Sequence, residues 1–293
     1  ALVSISNLGG GALYLPAGLY KVSGTLTIPS RVTLRGDWLP PTPDGPVQGT
    51  ILMAYAGRGS ESGDAFLSMS NCAGIKGIAI WYPEQAANDI QPYPPAIRRV
   101  SGSNQTVENV TFVNAYIGFS CYSTEITASP FLRGIYGTPL KTGIEFDCLA
   151  DVGRIETVHF SPDYWKNSGL PNAPVSEQHR PWIYENGTGI TFGRIDWSYA
   201  AYVTIDGYGE GLKLWPSRND SAATPNGQCY GFTLRNCKTG IRIVNSSYAG
   251  FMFTRFAIQG AEVGVEIGSA ANQALLFHTC RINGTNYSLH NRG

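Results

Sequence analysis

In the C-terminal quarter of the chain, apolar and polar positions recur with a period of 24 residues. Gly231-Phe-Thr-Leu-Arg-Asn-Cys-Lys-Thr-Gly-Ile-Arg-Ile243 lies over Arg255-Phe-Ala-Ile-Gln-Gly-Ala-Glu-Val-Gly-Val-Glu-Ile267, which lies over Thr279-Cys-Arg-Ile-Asn-Gly-Thr-Asn-Tyr-Ser-Leu-His-Asn291. The shared pattern is apolar-x-apolar, five residues, a glycine, then apolar-x-apolar. Each triplet reads as a short strand with one buried face. The intervening glycine is expected to turn a tight corner with positive φ. Two or three such strands in one repeat make one coil of a parallel β-solenoid, with like positions about 4.8 Å apart. Val203, Phe232, Phe256 and Cys280 are then predicted to form one interior column. Ile205, Leu234, Ile258 and Ile282 form its neighbour, and Gly211, Gly240 and Gly264 stack beside them. An antiparallel sandwich also has short strands and many turns, but it does not explain a constant offset. The predicted fold class is therefore all-β, a single-stranded right-handed parallel β-helix with long loops.

Residues 9–38 carry a second signature: Gly10-Gly11, the strand Ala12 to Leu15, Pro16-Ala17-Gly18-Leu19-Tyr20, a strand over Thr25 to Ile28, and one from Val32 ending at Arg35-Gly36. This resembles the opening coils of the pectate-lyase-like superfamily of right-handed parallel β-helices. That grouping includes polygalacturonase-related proteins, certain β-1,3-glucanases and phage tail-spike depolymerases. The resemblance implies the fold and a polysaccharide or glycan as partner; it does not fix the activity. Members usually carry a capping helix before this motif, whereas eight residues precede Gly9 here, and the last repeat stops at Asn291-Arg-Gly293. The expectation is one β-helix domain over 1–293, a fragment or processed piece of a longer chain, able to associate through uncapped solenoid ends.

Composition narrows the function. Lys plus Arg and Asp plus Glu are 21 each, so electrostatics offer no argument for a nucleic-acid or anionic-membrane partner. No run of 18 apolar residues crosses a membrane. Glycine, at 35 of 293 residues, is well above the usual ~7% and suits many turns. The six cysteines lack any C-x-x-C pair and permit either three disulfides or free thiols. Seven N-x-S/T sequons, at Asn104, Asn109, Asn186, Asn219, Asn245, Asn283 and Asn286, fit a secreted glycoprotein.

Chemistry on a solenoid is expected on outward strand positions and on loops that break the period. Three interruptions stand out, at 81–97, 161–188 and 215–228. Between the first two, strand alternation turns Ile144, Phe146, Val158 and Phe160 inward and Glu145 and His159 outward. Outward carboxylates on successive coils sit about 5 Å apart per step, which spans the roughly 5–5.5 Å and 6.5–9.5 Å separations of retaining and inverting glycosidases. The catalytic pair is expected among Asp147, Asp151, Glu156, Asp163 and Asp196. Aromatic rings stack on the C–H face of a sugar, so Tyr164, Trp165, Trp182, Trp197 and Tyr208, with His159, are the expected substrate contacts. Polygalacturonase motifs are absent, histidines lack metal-ligand spacing, and no phosphate loop occurs. No cofactor or metal is expected. Three functions stay open: a glycoside hydrolase with paired carboxylates, a polysaccharide lyase, or a non-catalytic glycan-binding adhesin or tail-spike-like protein.

Overall fold

Apolar residues at alternate positions give strands of three to fourteen residues, and each pairs in parallel with the strand one coil away. The computed structural model describes residues 1–293. Its 22 strands wind into a continuous parallel β-helix, with crossovers of the hand that parallel connections take. One interior column runs almost the whole length by register: Leu34, Ile75, Val107, Leu132, Ile155, Ala200, Cys229, Phe253 and Phe277.

The columns read from the repeat are present. Ile205, Leu234, Ile258 and Ile282 pair in succession. Val203 pairs with Phe232, whose ring stacks on Phe256 at 4.7 Å between centroids. Cys280 packs half-buried at the end of that column. All six cysteines are unpaired thiols, and Cys121, Cys148, Cys229 and Cys237 are buried.

The glycines of the repeat stack as expected, but for a different reason. Gly211, Gly240 and Gly264 lie within strands and do not adopt positive φ. A Cβ on Gly211 would sit 2.7 Å from the carbonyl oxygen of Gly240, and one on Gly240 would sit 2.6 Å from that of Gly264. It would also meet Leu234 or Ile258 of the adjacent interior column. Glycine is thus required where that large-residue column fills the space behind a strand. The left-handed corner lies elsewhere, at Gly77, Asn109, Gly134, Thr157, Tyr202, Gly231, Arg255 and Thr279. These occupy equivalent points of successive coils and divide each long strand into two walls. Five are not glycine, so stacking holds a conformation that costs an L-residue about 1–2 kcal/mol.

A third wall is built from Leu26–Ile28, Leu67–Met69, Pro95–Arg99, Ile117–Ser120, Thr142–Phe146, Thr188–Phe192, Glu210–Leu214, Thr239–Asn245 and the second part of Ala257–Ala270. The three expected interruptions are loops or loop-helix segments, and 161–188 contains the short helices Asp163–Lys166 and Arg180–Asn186. Two further excursions, 37–49 and 55–66, were not evident in the sequence. At the N-terminus, the helix Leu2–Asn7 lays Leu2 and Ile5 against the first coil.

Candidate functional site

The third wall carries the principal groove. Its strands present two outward columns. Thr142, Thr188, Glu210, Thr239 and Val263 form one, and Ser120, Glu145, Thr191, Lys213, Arg242, Glu266 and His290 form the other. Excursions raise sides around them: Glu185–Gly187 at the end of the helix Arg180–Asn186, and Trp215–Arg218 at the start of the third interruption. The resulting groove encloses about 720 Å³, and only two of its 23 lining residues are hydrophobic. A floor this polar suits a ligand covered in hydroxyls or charges and disfavours an apolar one.

Its charges are arranged in chains. Glu210 accepts from Thr188 Oγ1 at 3.0 Å and lies 3.0 Å from Lys213 Nζ. It also faces Arg242 Nη1 at 3.5 Å, while Nη2 of the same guanidinium faces Glu266 at 3.9 Å. Glu266 has a second cation, Arg292, at 3.2 Å. Glu145 binds Arg218 and Ser120 Oγ, both at 2.6 Å. Glu185 pairs with Lys238 at 2.5 Å, which holds the Lys238 ammonium above its ordinary range. Glu262 differs: it accepts from the Tyr184 hydroxyl at 2.5 Å and has no cation within ion-pair distance. Burial first, and then this bond to Glu262, pushes the Tyr184 phenol well up. Trp215 is partly exposed at the rim, with Lys213 Nζ 4.3 Å from its ring centroid.

The residues selected from sequence scatter. Of the expected acids only Asp147 lines the groove, and it is buried as a structural tie. Its Oδ1 accepts from the amides of Cys148 and Arg194, and its Oδ2 from that of Arg218. Asp147 therefore pins the segment carrying Arg218. Asp151 is exposed and takes the Val152 amide. Glu156 stands on a different wall, in the column of Arg133 and Glu108. Asp163 pairs with Arg180 and bonds Ser161. Asp196 pairs with Arg194 at 3.3 Å and holds Asn226. The five do not converge.

The aromatic set divides similarly. Tyr164, Trp165 and Tyr208 are almost fully buried and offer no open ring face. Trp165 packs edge-on against His179, and the Tyr208 hydroxyl donates to the Pro139 carbonyl at 2.7 Å. Tyr164 and Trp165 anchor the 161–188 excursion to the coil. Trp182 packs against Tyr116 at 5.8 Å. Trp197 is exposed, at left-handed φ, away from the groove. His159 is outward as expected, yet Tyr164 covers it, its hydroxyl 2.8 Å from Nδ1; burial lowers the affinity of this imidazole for a proton.

Sequence reasoning missed Glu210, Glu262, Glu266, Lys213 and Arg242. The available signal was the x of each repeat's second apolar-x-apolar triplet, at Lys213, Arg242 and Glu266: one outward polar position per coil.

With this geometry in view, similarity to known proteins bears on the fold. No family model matches the chain, and no curated protein matches it. Among solved structures, a double mutant of the tailspike protein of E. coli bacteriophage HK620 superposes with a TM-score of 0.60, at 11% identity, over 100% of this chain and 55% of that one. A single mutant of the same tailspike in complex with a pentasaccharide gives 0.59, at 10% identity, over 99% and 58%. This chain thus spans a little over half the length of those tailspikes. At such identities the likeness establishes a shared parallel β-helix fold.

Proposed function

We propose that the chain binds a polysaccharide along the third wall and hydrolyses it with carboxylates of that groove. The observation that carries this reading is a long, open, almost wholly polar trough that crosses several coils, with hydroxyl, carboxylate and cationic side chains repeating at each step. A glycan repeats donors and acceptors along its length, and a row of charged and hydroxyl groups can serve each sugar in turn. Trp215 stands at the rim with Lys213 over one face of its ring, and a sugar would stack on the opposite face. The pentasaccharide bound by the HK620 tailspike supports the same class of ligand on this architecture.

The acid pair is assigned to Glu262 and Glu210. Alone among the groove glutamates Glu262 forms no ion pair, and it is assigned as the acid on that ground. Glu210 is fixed by Thr188 and Lys213 and serves as the base that activates water. Val263, next to Glu262, lies two coils above Glu210 by register. Two steps separate the two backbones by about 10 Å along the coil axis, a spacing wide enough for the inverting rather than the retaining arrangement. An extracellular site of action, where such a polymer is met, belongs to the same proposal.

One observation favours binding without turnover: Glu145, Glu210 and Glu266 are each engaged by at least one cation. Incubation with a panel of neutral and acidic polysaccharides separates the readings. Hydrolysis releases new reducing ends, and Glu262→Gln or Glu210→Gln abolishes them while binding persists. Binding with no new ends overturns the hydrolase assignment, and an ultraviolet-absorbing unsaturated product assigns a lyase.

A further inference from the structure

Beyond Glu145 and Arg218 the groove continues into a second basin of about 570 Å³, whose lining includes Arg98, Arg99, Tyr122, Ser123 and Glu61. Arg98 occupies the outward column directly below Ser120. Its guanidinium forms no hydrogen bond or ion pair within the protein, and its Nε is buried without a partner. Neighbouring Arg99 is fully buried; its Nη2 donates to the Glu125 carbonyl at 2.7 Å, while Nε and Nη1 have no partner.

Both carboxylates of the basin are already engaged. Glu61 is held by Lys141 at 2.7 Å and by the Tyr116 hydroxyl at 2.8 Å, and these bonds hold its carboxyl below the usual range despite partial burial. Glu145 is held by Arg218, whose guanidinium lies 3.6 Å from the Tyr122 ring centroid. The two carboxylates that line the basin are therefore engaged by other cations, and although Glu145 and Asp64 lie near enough to favour the charged Arg98, the adjacent Arg98–Arg99 pair keeps unused donors. Buried donors without partners are rare in folded proteins and mark places where something else supplies the acceptor. A guanidinium presents donors in a fork that matches an oxyanion.

We infer that this basin is an anion subsite in which Arg98, supported by Arg99, receives the carboxylate, sulfate or phosphate group of an acidic sugar. For the polymer it rests on the glycan reading above, and it specifies that reading: a charged rather than neutral glycan, with an acidic unit placed at the Arg98 end of the groove. Electrostatic recognition of this type weakens with salt.

Monosaccharides with one ring and different charge test the subsite without requiring a polymer. Glucose, glucuronate, glucose 6-sulfate and glucose 6-phosphate are titrated into the full chain, with side-chain Nε–H resonances of arginine as the readout. At least one charged sugar is expected to bind on the order of tenfold more tightly than glucose and to shift the Arg98 signal. The carboxylate, sulfate and phosphate arms show which oxyanion is preferred. Arg98→Gln is expected to remove that preference, and Arg98→Lys to restore part of it. Should Arg98→Gln not fold, charged-sugar-dependent stabilisation of the wild-type chain in thermal melts, compared with sodium chloride at equal ionic strength, gives the same answer. Equal affinity for glucose and the charged sugars, no binding by any of them, or charged-sugar binding that survives in Arg98→Gln overturns the subsite. Neutral oligosaccharides binding the groove unaltered by Arg98→Gln would leave the glycan reading standing without it. Charged monosaccharides binding through Arg98 while no polysaccharide binds would do the reverse.

Discussion

Two outward faces of the same solenoid carry ladders of charge, yet only one makes a groove. On the first wall, Lys76, Glu108, Arg133 and Glu156 occupy one column. Glu108 bridges Lys76 below and Arg133 above, so adjacent rungs cancel. On the third wall, Glu145, Thr191, Lys213, Arg242 and Glu266 form a comparable column, and many of its charges are also paired. The strand geometry is the same in both. The difference is the surroundings: Glu108 lines none of the four main grooves, whereas Glu185–Gly187 and Trp215–Arg218 flank the third wall. Periodic strands supply the repeating functional groups, and aperiodic excursions turn one row of them into a binding trough.

The largest expected effect falls on the groove. Glu262→Gln or Glu210→Gln should lower hydrolysis at saturating polysaccharide by on the order of a thousandfold, with the thermal midpoint little changed, whereas Glu108→Gln should leave hydrolysis intact. Equal losses at Glu108 would erase the distinction between the faces. Next come substitutions in the shared interior, which should harm both faces through stability. Phe232→Ala removes a ring stacked on Phe256 and should destabilise by roughly 3–5 kcal/mol in denaturant unfolding. Gly240→Ala forces a Cβ to 2.6 Å from the Gly264 carbonyl oxygen, directly behind the groove floor, and should destabilise by about 1–3 kcal/mol.

Smaller effects follow. His159 and His179 are held neutral, chiefly by burial, with proton affinity below the ordinary value of 6.5. The unfolded chain therefore binds more protons than the native one as pH falls through that value, so stability should decline there and stop declining below the native values. Unfolding midpoints measured from neutral to mildly acidic pH check this, and His159→Gln with His179→Gln should flatten the curve. The smallest change is expected from Glu108→Gln, a partly exposed bridge whose loss should alter stability by no more than about 1 kcal/mol.

The interior was legible because side-chain stacking imposes a period on sequence: Leu234, Ile258 and Ile282 could be aligned before any coordinate was known. The glycine column was legible as a position but not as a cause, since both a corner and a close approach demand the absence of a Cβ. The site was less legible. Acid and aromatic density led to Asp163, Tyr164 and Trp165, which are concentrated there because a long excursion needs buried anchors and charged ties to the coil. Glu210 and Glu266 sit in unremarkable strand sequence, and they become site residues only through the aperiodic segments Glu185–Gly187 and Trp215–Arg218 that border them. Arg98 was hidden for the same reason: pairing between Glu61 and Lys141, 80 residues apart, leaves it without a partner.

The central claim is that the walled third face, not the charge ladder of the first, engages glycan. The most direct measurement is hydrogen–deuterium exchange of the Glu210→Gln protein with and without the polysaccharide that it binds most tightly. Slowed exchange on the third face, at 185–193, 210–218, 239–245 and 262–266 and extending to 95–99 for an acidic glycan, is the predicted result. Slowed exchange at 106–112 and 131–137 instead, with the third face unchanged, would contradict it.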